Sequence, residues 1–351
     1  MSTNLLQDLQ TTPLYRDPSA GVQIELVQGF PEIIEPLLQQ TVWGSGDVLY
    51  KVDDMASSLR KLPSAKYLLL KKDSELVAMH FILPKGNYFY SSILIVNPKC
   101  QGSGYGKLLK QQSLQFIAKQ GGPKWMNYAY IEDSNIRSIN ISKALGVQPA
   151  GLFHAMTISR LFPKNSPKVS RLSEAQEPVI RQLLADRYAE HALADFDLSL
   201  KADRYWVLLR DNRIVAGVQA DPQRWEIKSL AGASGWVAMH TIPYLPVIRG
   251  LFNPRDFRFL KIGNLYFQPG HAREAHELIQ AVLARHQLQT SLGYFDKSSP
   301  IYEELAAAGR FGLLNALTET PVRIMALFEG FEETEIADFK RRPKVISPSD
   351  I

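Results

Sequence analysis

Cysteine is almost missing from this chain: Cys100 is the only one among 351 residues. An intramolecular disulfide is therefore excluded and a thiolate metal site disfavoured, so no metal is expected. Apolar runs are short too, and none approaches the ~20 residues that a membrane-crossing helix needs. Segment 1–18 carries Asp8 and Asp17 and lacks an apolar block before a small-residue cleavage site, so it does not read as a signal peptide. A cytoplasmic protein without a membrane partner is the expectation. A strong charge of one sign is also lacking: 40 Lys and Arg stand against 35 Asp and Glu, for a net charge of +5 and a pI near 9.1. The basic excess is spread along the chain, and only Lys340-Arg341-Arg342-Pro343-Lys344 is clustered. That run reads as a solvated tail, and no nucleic-acid partner is expected.

What is there is ordinary soluble material, 45% hydrophobic and 21% charged, enough for two cores and two domains. The alternation over 22–27 predicts a strand, and Gly29-Phe30-Pro31 opens a helical stretch to Gln40. Trp43-Gly44-Ser45-Gly46-Asp47 reads as a loop and 53–62 as helical. Strands follow over 67–71, 76–83 and 91–96, the first two joined by the turn Asp73-Ser74. Next come a glycine-rich segment, a helix over 105–119, a strand over 125–131, a helix over 134–145 and a strand over 152–161. Two prolines among polar residues at 162–168 mark a boundary. Beyond it the pattern restarts, with a helix over 174–191, strands over 206–209 and 214–220 around Asp211-Asn212, and a strand over 259–267. A helix over 272–286, a strand over 290–295, a helix over 300–308 and a strand over 322–328 close it. The fold class is mixed α/β, and the repeated closing order predicts a duplication. The domains are 20–162, a linker 163–169, a second domain 170–335 and a tail 336–351.

The glycine segment carries the most specific chemistry. A helix N-terminus offers unpaired N–H groups and about half a positive charge, and glycines let the chain approach an anion closely. Gln101-Gly102-Ser103-Gly104-Tyr105-Gly106-Lys107 stands between a strand and a helix. A Walker A loop fails, because Gln101 stands where its first glycine should be and Leu108 where its Ser or Thr should follow. A dinucleotide fingerprint fails because its third glycine would fall on Lys107 or Leu109. Gln/Arg-x-x-Gly-x-Gly/Ala after Leu94-x-Val96-x-Pro98 does fit, and here the chain resembles the GNAT superfamily of N-acetyltransferases.

The resemblance implies a mixed, mostly antiparallel central sheet flanked by helices in each of two tandem domains, with acetyl-CoA as cosubstrate. It implies that amides from Gly102 to Lys107 hold the CoA pyrophosphate while the backbone of Leu94, Ile95 and Val96 pairs with the pantetheine arm. In the superfamily an Asn begins the next helix and a Tyr seven residues later faces the sulfur. Asn135 matches the Asn, but Ser142 stands in the Tyr position; Asn135, Ser138 and Ser142 are the implied contacts there. Some relatives have a Glu where this chain has Tyr130. That leaves Glu132, Tyr130 and His80 as candidate bases, with Ser142 as a hydrogen-bonding or water-holding group. Cys100 reads as inert packing.

In the second domain Phe267-Gln268-Pro269-Gly270-His271-Ala272 takes the loop position with one glycine, and Pro269 has no N–H to offer, so this half is expected to bind CoA poorly. It is expected to pack on the first and shape an acceptor cleft, with Tyr294, Phe295 and Asp296 as possible lining. A monomer with internal domain pairing or a homodimer is implied, acting on a small-molecule or protein amine. The rival reading is a CoA-binding regulatory or interaction protein with little turnover.

Overall fold

Each half of the chain contains the same tight hairpin. Asp73 and Ser74 have φ of +49° and +72°, and Asp211 and Asn212 have +48° and +59°, the left-handed pair whose twist matches that of flanking strands. The computed structural model describes residues 10–46, 48–246, 248–315 and 319–347. In the first half β1 (Thr11–Asp17) and β2 (Val22–Gln28) precede α1 (Glu35–Gln40), the hairpin β3 (Trp43–Ser45) and β4 (Val48–Val52), and α2 (Met55–Arg60). Then come β5 (Lys66–Lys72), β6 (Glu75–Lys85), β7 (Tyr88–Val96), α3 (Tyr105–Gln120), β8 (Trp125–Glu132), α4 (Ile136–Lys143) and β9 (Gln148–Ser159). The second half opens with β10 (Val169–Arg171), α5 (Glu177–Arg187), α6 (Phe196–Ser199), β11 (Tyr205–Arg210), β12 (Arg213–Leu230) and α7 (Gly232–His240). It closes with β13 (Phe257–Phe267), α8 (Ala272–Arg285), β14 (Thr290–Phe295), α9 (Pro300–Ala308), β15 (Thr320–Glu329) and α10 (Glu333–Arg341).

The sequence of β7, α3, β8, α4, β9 recurs as β13, α8, β14, α9, β15, so the expected duplication is present. The two halves share one sheet, ordered β1-β2-β5-β6-β7-β8-β15-β9-β14-β13-β12-β11-β10. Each half's last strand has crossed to the other: β15 lies beside β8, from Val322↔Glu132 to Glu329↔Trp125, and β9 lies beside β14, from Thr290↔Ser159 to Phe295↔His154. Those two strands pair antiparallel with each other at the centre. The segment 163–169 thus separates the halves along the chain but not within the sheet.

Near each centre one strand pair parts. β7 and β8 run parallel and pair only from Tyr88↔Met126 to Tyr90↔Tyr128. Beyond, Ile93 takes φ +52° beside a register shift against β6, a costly conformation for a β-branched residue that turns β7 away. The edge of β7 facing β8 is left without a strand there. One face of this region carries α1 and α2, packed on Tyr67, Met79 and Phe81. The other carries α3, packed on Leu68, Leu70 and Ile82, and α4, packed on Ala129 and Ile131.

Two expectations need correction. The segment from Trp43 read as a loop contains β3, which pairs with β4, and β4 continues onto β12 of the second half from Trp225↔Val52 to Leu230↔Val48. A strand this short has no readable periodicity, and its partner is far away in sequence; Asp47 lies outside the described residues. The supposed solvated tail is also folded. Glu333–Arg341 is helical, Phe339 packs on Phe328 with ring centroids 5.3 Å apart, and Lys344 is 4% exposed. Its Nζ donates to the Lys340 and Arg342 carbonyls, while the Arg342 guanidinium donates to those of Ala189, Glu190 and His191. Backbone carbonyls, not water, thus solvate the cations. Residues 348–351 of that tail, and 1–9 of the segment read as lacking a signal, lie outside the described residues.

Candidate active site

The glycine segment forms the turn into α3. Gly102 and Gly104 have φ of +91° and +81°, and a Cβ placed on either would meet no other atom within 4 Å. Gly104 caps the helix and supplies no side-chain bond to it. The first amide bonded across the cap is that of Leu108, to the Gly104 carbonyl at 3.0 Å. The amides of Tyr105, Gly106 and Lys107 have no partner among the described residues. Bare N–H groups at the head of a 16-residue helix, under glycines with open space above them, suit a phosphate. Arg137 of α4 adds a cation at this end, its Nη1 donating to Gln101 Oε1 at 3.3 Å. Asn135 caps α4, its side chain accepting from the Ser138 amide at 3.1 Å.

Where β7 and β8 part, the structure has a cavity of about 380 Å³ whose walls come from both faces of the sheet. On the helix face its walls include Lys110, His80, Asn135 and Ser138; on the other they include Tyr130, Glu132, Tyr50, Trp225 and Tyr294. Alternation along β8 makes this division: Ala129 and Ile131 point to α4, Tyr130 and Glu132 to the hairpin side. The four sequence candidates are therefore split. Tyr130 and Glu132 share one face, His80 and Ser142 the other.

On the helix face lies a buried polar network. Lys110 is 5% exposed, His80 2% and Ser142 fully buried. Lys110 Nζ donates to Ser142 Oγ at 2.8 Å, and Ser142 Oγ donates to the Ser138 carbonyl at 2.8 Å. Ser113 Oγ donates to the Leu109 carbonyl at 2.8 Å, so it accepts from His80 Nδ1 at 2.6 Å and the imidazole is the neutral Nδ1–H tautomer. Burial, with the Lys110 charge behind it, pushes His80 down to about 3, which makes it a weak base. Burial alone lowers the Lys110 ammonium to about 8. Ser142 does not line the cavity; its hydroxyl is committed at both ends, so any influence it has there passes through Lys110.

On the opposite face the hairpin roofs the cavity and orients Glu132. The Ser45 amide and hydroxyl donate to Glu132 Oε2 at 2.8 and 3.0 Å. Tyr50 stacks on Trp225 of the second half, centroids 4.1 Å apart and planes 13° from parallel. The buried Trp43 Nε1 has no hydrogen-bond partner among the described residues, and Trp43 lines the same cavity. Burial first, then the Glu132 carboxylate, raises Tyr294 to about 12, and burial keeps Tyr50 protonated as well. This face thus presents the Ser45-held Glu132 beside neutral aromatic rings, while Asp221, the other carboxylate of the lining, is paired with Arg204.

The described geometry meets an independent finding at this point: residues 36–147 match the model of the acetyltransferase (GNAT) family. Residues 36–147 form a GNAT acetyltransferase domain. No curated protein sequence matches the chain. Solved structures similar to it include a tandem GNAT protein from the clavulanic acid biosynthesis pathway, at 12% identity and TM-score 0.49 over 93% of this chain and all of that one. A GCN5-related N-acetyltransferase from Sphaerobacter thermophilus is similar at 12% identity and TM-score 0.49, over 79% of this chain and 86% of that. Saccharomyces cerevisiae N-myristoyltransferase is similar at 9% identity and TM-score 0.49, over 97% and 89%.

In the second half of the chain the corresponding features are closed. Gly270 donates its amide to Glu304 Oε2 at 3.3 Å; Glu274, in the first turn of α8, pairs with Arg210 at 3.1 Å. Beside Asn264 (φ +46°), where β13 turns away from β14, the Asn264 and Leu265 carbonyls accept from the Tyr205 and Tyr188 hydroxyls at 2.8 and 2.6 Å. The cavity there is about 50 Å³, and Lys344, Val345 and Ile346 line it. Of the three residues expected to line an acceptor cleft, Tyr294 faces the large cavity, whereas Phe295 and Asp296 line the small one.

Sequence reading missed Lys110, Trp43, Tyr50 and Trp225. For Lys110 a signal existed: it lies three residues before Ser113 and seven before Ile117, on the buried stripe of α3. The aromatic residues carried none, because the hairpin brings Tyr50 to Trp225 across 175 positions.

Proposed function

We propose that this chain is an acetyl-CoA-dependent N-acetyltransferase that acts on a primary amine in a ternary complex. One observation carries the reading: a single cavity where β7 and β8 part is lined by Lys110, Asn135 and Ser138 on the side of α3 and α4 and by the Ser45-held carboxylate of Glu132 on the other. On this reading the amides from Gly102 to Lys107 hold the CoA pyrophosphate, with Gln101 and Ser103 beside it. The unpaired edge of β7 from Leu94 to Val96 takes the pantetheine arm as an added strand, and Asn135 and Ser138 flank it. Bound there, acetyl-CoA supplies an activated acyl carbon.

The remaining chemistry belongs to the chain. Glu132, held by Ser45, draws an ammonium into the cavity; once this has lost one proton to solvent, the neutral amine attacks, and Glu132 accepts a second proton from nitrogen as the C–N bond forms and the C–S bond breaks, the electron pair leaving on sulfur. An attacking amine becomes strongly acidic at that moment, so even a carboxylate can take the proton. Tyr130, which lines the cavity, is backed by Tyr90, Tyr128 and Phe153 with ring centroids 5.2–5.7 Å from its own, a firm wall that supports a short acyl group. Trp43, Tyr50 and Trp225 support an amine carried on a flat apolar body. Calorimetry with acetyl-CoA, then thiol release across an amine panel, tests the reading. No binding would overturn it, and binding without release for any amine would leave a CoA-binding protein that is not a transferase.

A further inference from the structure

Lys110 is a burden to the fold that its neighbours do not relieve. A buried ammonium is costly unless a carboxylate or several acceptors compensate it, and its one hydrogen-bond partner among the described residues is Ser142. The groups that face it are His80 of β6, neutral and bonded to Ser113, and, across the gap, Tyr130 and Glu132 of β8, which also line the cavity. None neutralises it. An ammonium has three donors; with one on Ser142, two remain at the wall of the cavity that Lys110 lines.

We propose that Lys110 Nζ is the proton donor to the sulfur of the departing CoA, steadied by Ser142. The proposal rests on reading the gap between β7 and β8 as the acyl-CoA slot. As the C–S bond breaks, sulfur keeps the electron pair and takes a proton from Nζ. The neutral amine left on Lys110 recovers one from solvent. A pKa of about 8 lies close to the ordinary thiol value of about 8.5, the match a proton donor to a thiolate needs. The ammonium would thus supply the proton that the hydroxyl of Ser142, directed to the Ser138 carbonyl, cannot.

The test uses CoA itself and needs no acceptor. Calorimetry measures CoA affinity, and thiolate difference absorbance against pH measures where the bound thiol ionises, for the wild type, Lys110→Met and Lys110→Arg. In the wild type the bound thiol should lose its proton about one pH unit below free CoA, a tenfold change in its acidity, because an adjacent cation favours the thiolate. Lys110→Met should abolish that shift, with CoA affinity unchanged at pH 6, where the thiol is protonated, and about tenfold weaker once it is ionised, and Lys110→Arg, which keeps the charge, should restore it. Lys110→Gln serves as a second neutral variant should the Met protein fold poorly. Equal thiol titrations in wild type and neutral variants, with CoA bound, would overturn the proposal. So would acetylation of Lys110 on incubation with acetyl-CoA, which would make it a nucleophile. Failure of the wild type to bind CoA would overturn the slot assignment beneath it.

Discussion

In the first half of the chain the head of α3 has three amides without a partner among the described residues and open space above two left-handed glycines; in the second, the turn into α8 gives the Gly270 amide to Glu304, and Glu274 of its first turn pairs with Arg210. The same contrast runs along the strands. β7 leaves an edge unpaired beside a cavity of about 380 Å³, while β13 has its carbonyls taken by tyrosine hydroxyls and its cavity lined by the C-terminal segment. Topology is therefore not what makes a ligand site in this fold. Side chains that leave polar backbone unsatisfied make one, and side chains that satisfy it remove one.

The contrast extends to two carboxylates three residues before a helix cap, Glu132 before Asn135 and Asp296 before Ser299. The first faces the large cavity; the second accepts from the Lys344 amide at 2.8 Å. Glu132→Gln should therefore lower acetyl transfer by about 10²–10⁴, the usual worth of a positioned base, while Asp296→Asn should leave transfer almost unchanged. Equal losses in steady-state rates would break the comparison.

Lys110 lies six residues beyond the α3 cap, and Glu277, six beyond the α8 cap, instead accepts from Ser166 Oγ at 2.8 Å. The folded-state value of Lys110, about 8, lies below its ordinary 10.5, so protonation favours the unfolded chain. That cost is full below pH 8 and disappears as pH rises toward 10.5. Lys110→Met should accordingly raise unfolding stability near pH 7 by up to about 3 kcal/mol, less the lost Ser142 bond. The gain should shrink in denaturant titrations above pH 8. A constant gain across that range would show that the ammonium is not paying a burial penalty.

Gly104→Glu should weaken acetyl-CoA binding roughly thirty- to a hundredfold, since binding must restore a left-handed residue and contend with a charge already at the helix end. His271→Glu, at the head of α8, should not change it, and wild-type calorimetry should give one CoA per chain. Two sites of similar affinity would erase the distinction between the halves. The smallest effect is expected from Ser142→Ala. Loss of one hydrogen bond costs about 0.5–1.5 kcal/mol, a factor of roughly two to twelve in rate, because Lys110 keeps its charge.

Much of the first half was legible because its signals are local. The turn pairs Asp73-Ser74 and Asp211-Asn212, the glycines before α3, Asn135 as a cap, and the recurring strand and helix order all act within a few residues or one period. The strand over 214–220 was seen but runs on to Leu230, since its extension is held by β4 of the other half rather than by its own alternation. The charged run at 340–344 reads as solvated because charge usually is, and Lys340 and Arg341 are exposed; packing on Phe339 and nearby carbonyls buries Lys344. Glu132, Tyr130, His80 and Ser142 were nominated together, yet the parity of β8 and the seating of α3 put them on opposite faces, a sorting no spacing between different elements can reveal.

By itself, then, the sequence determined most of the element order, its repetition in the two halves and the glycine turn before α3, since backbone conformation and helix ends depend on near neighbours. The tertiary structure alone decided the exchange of β9 and β15, the roofing of the cavity by β3 and β4, the neighbours of Lys110 and the filling of the second site. Those depend on which distant strand supplies a partner, and the sheet's hydrogen bonds are satisfied equally well by either half until the packed side chains choose.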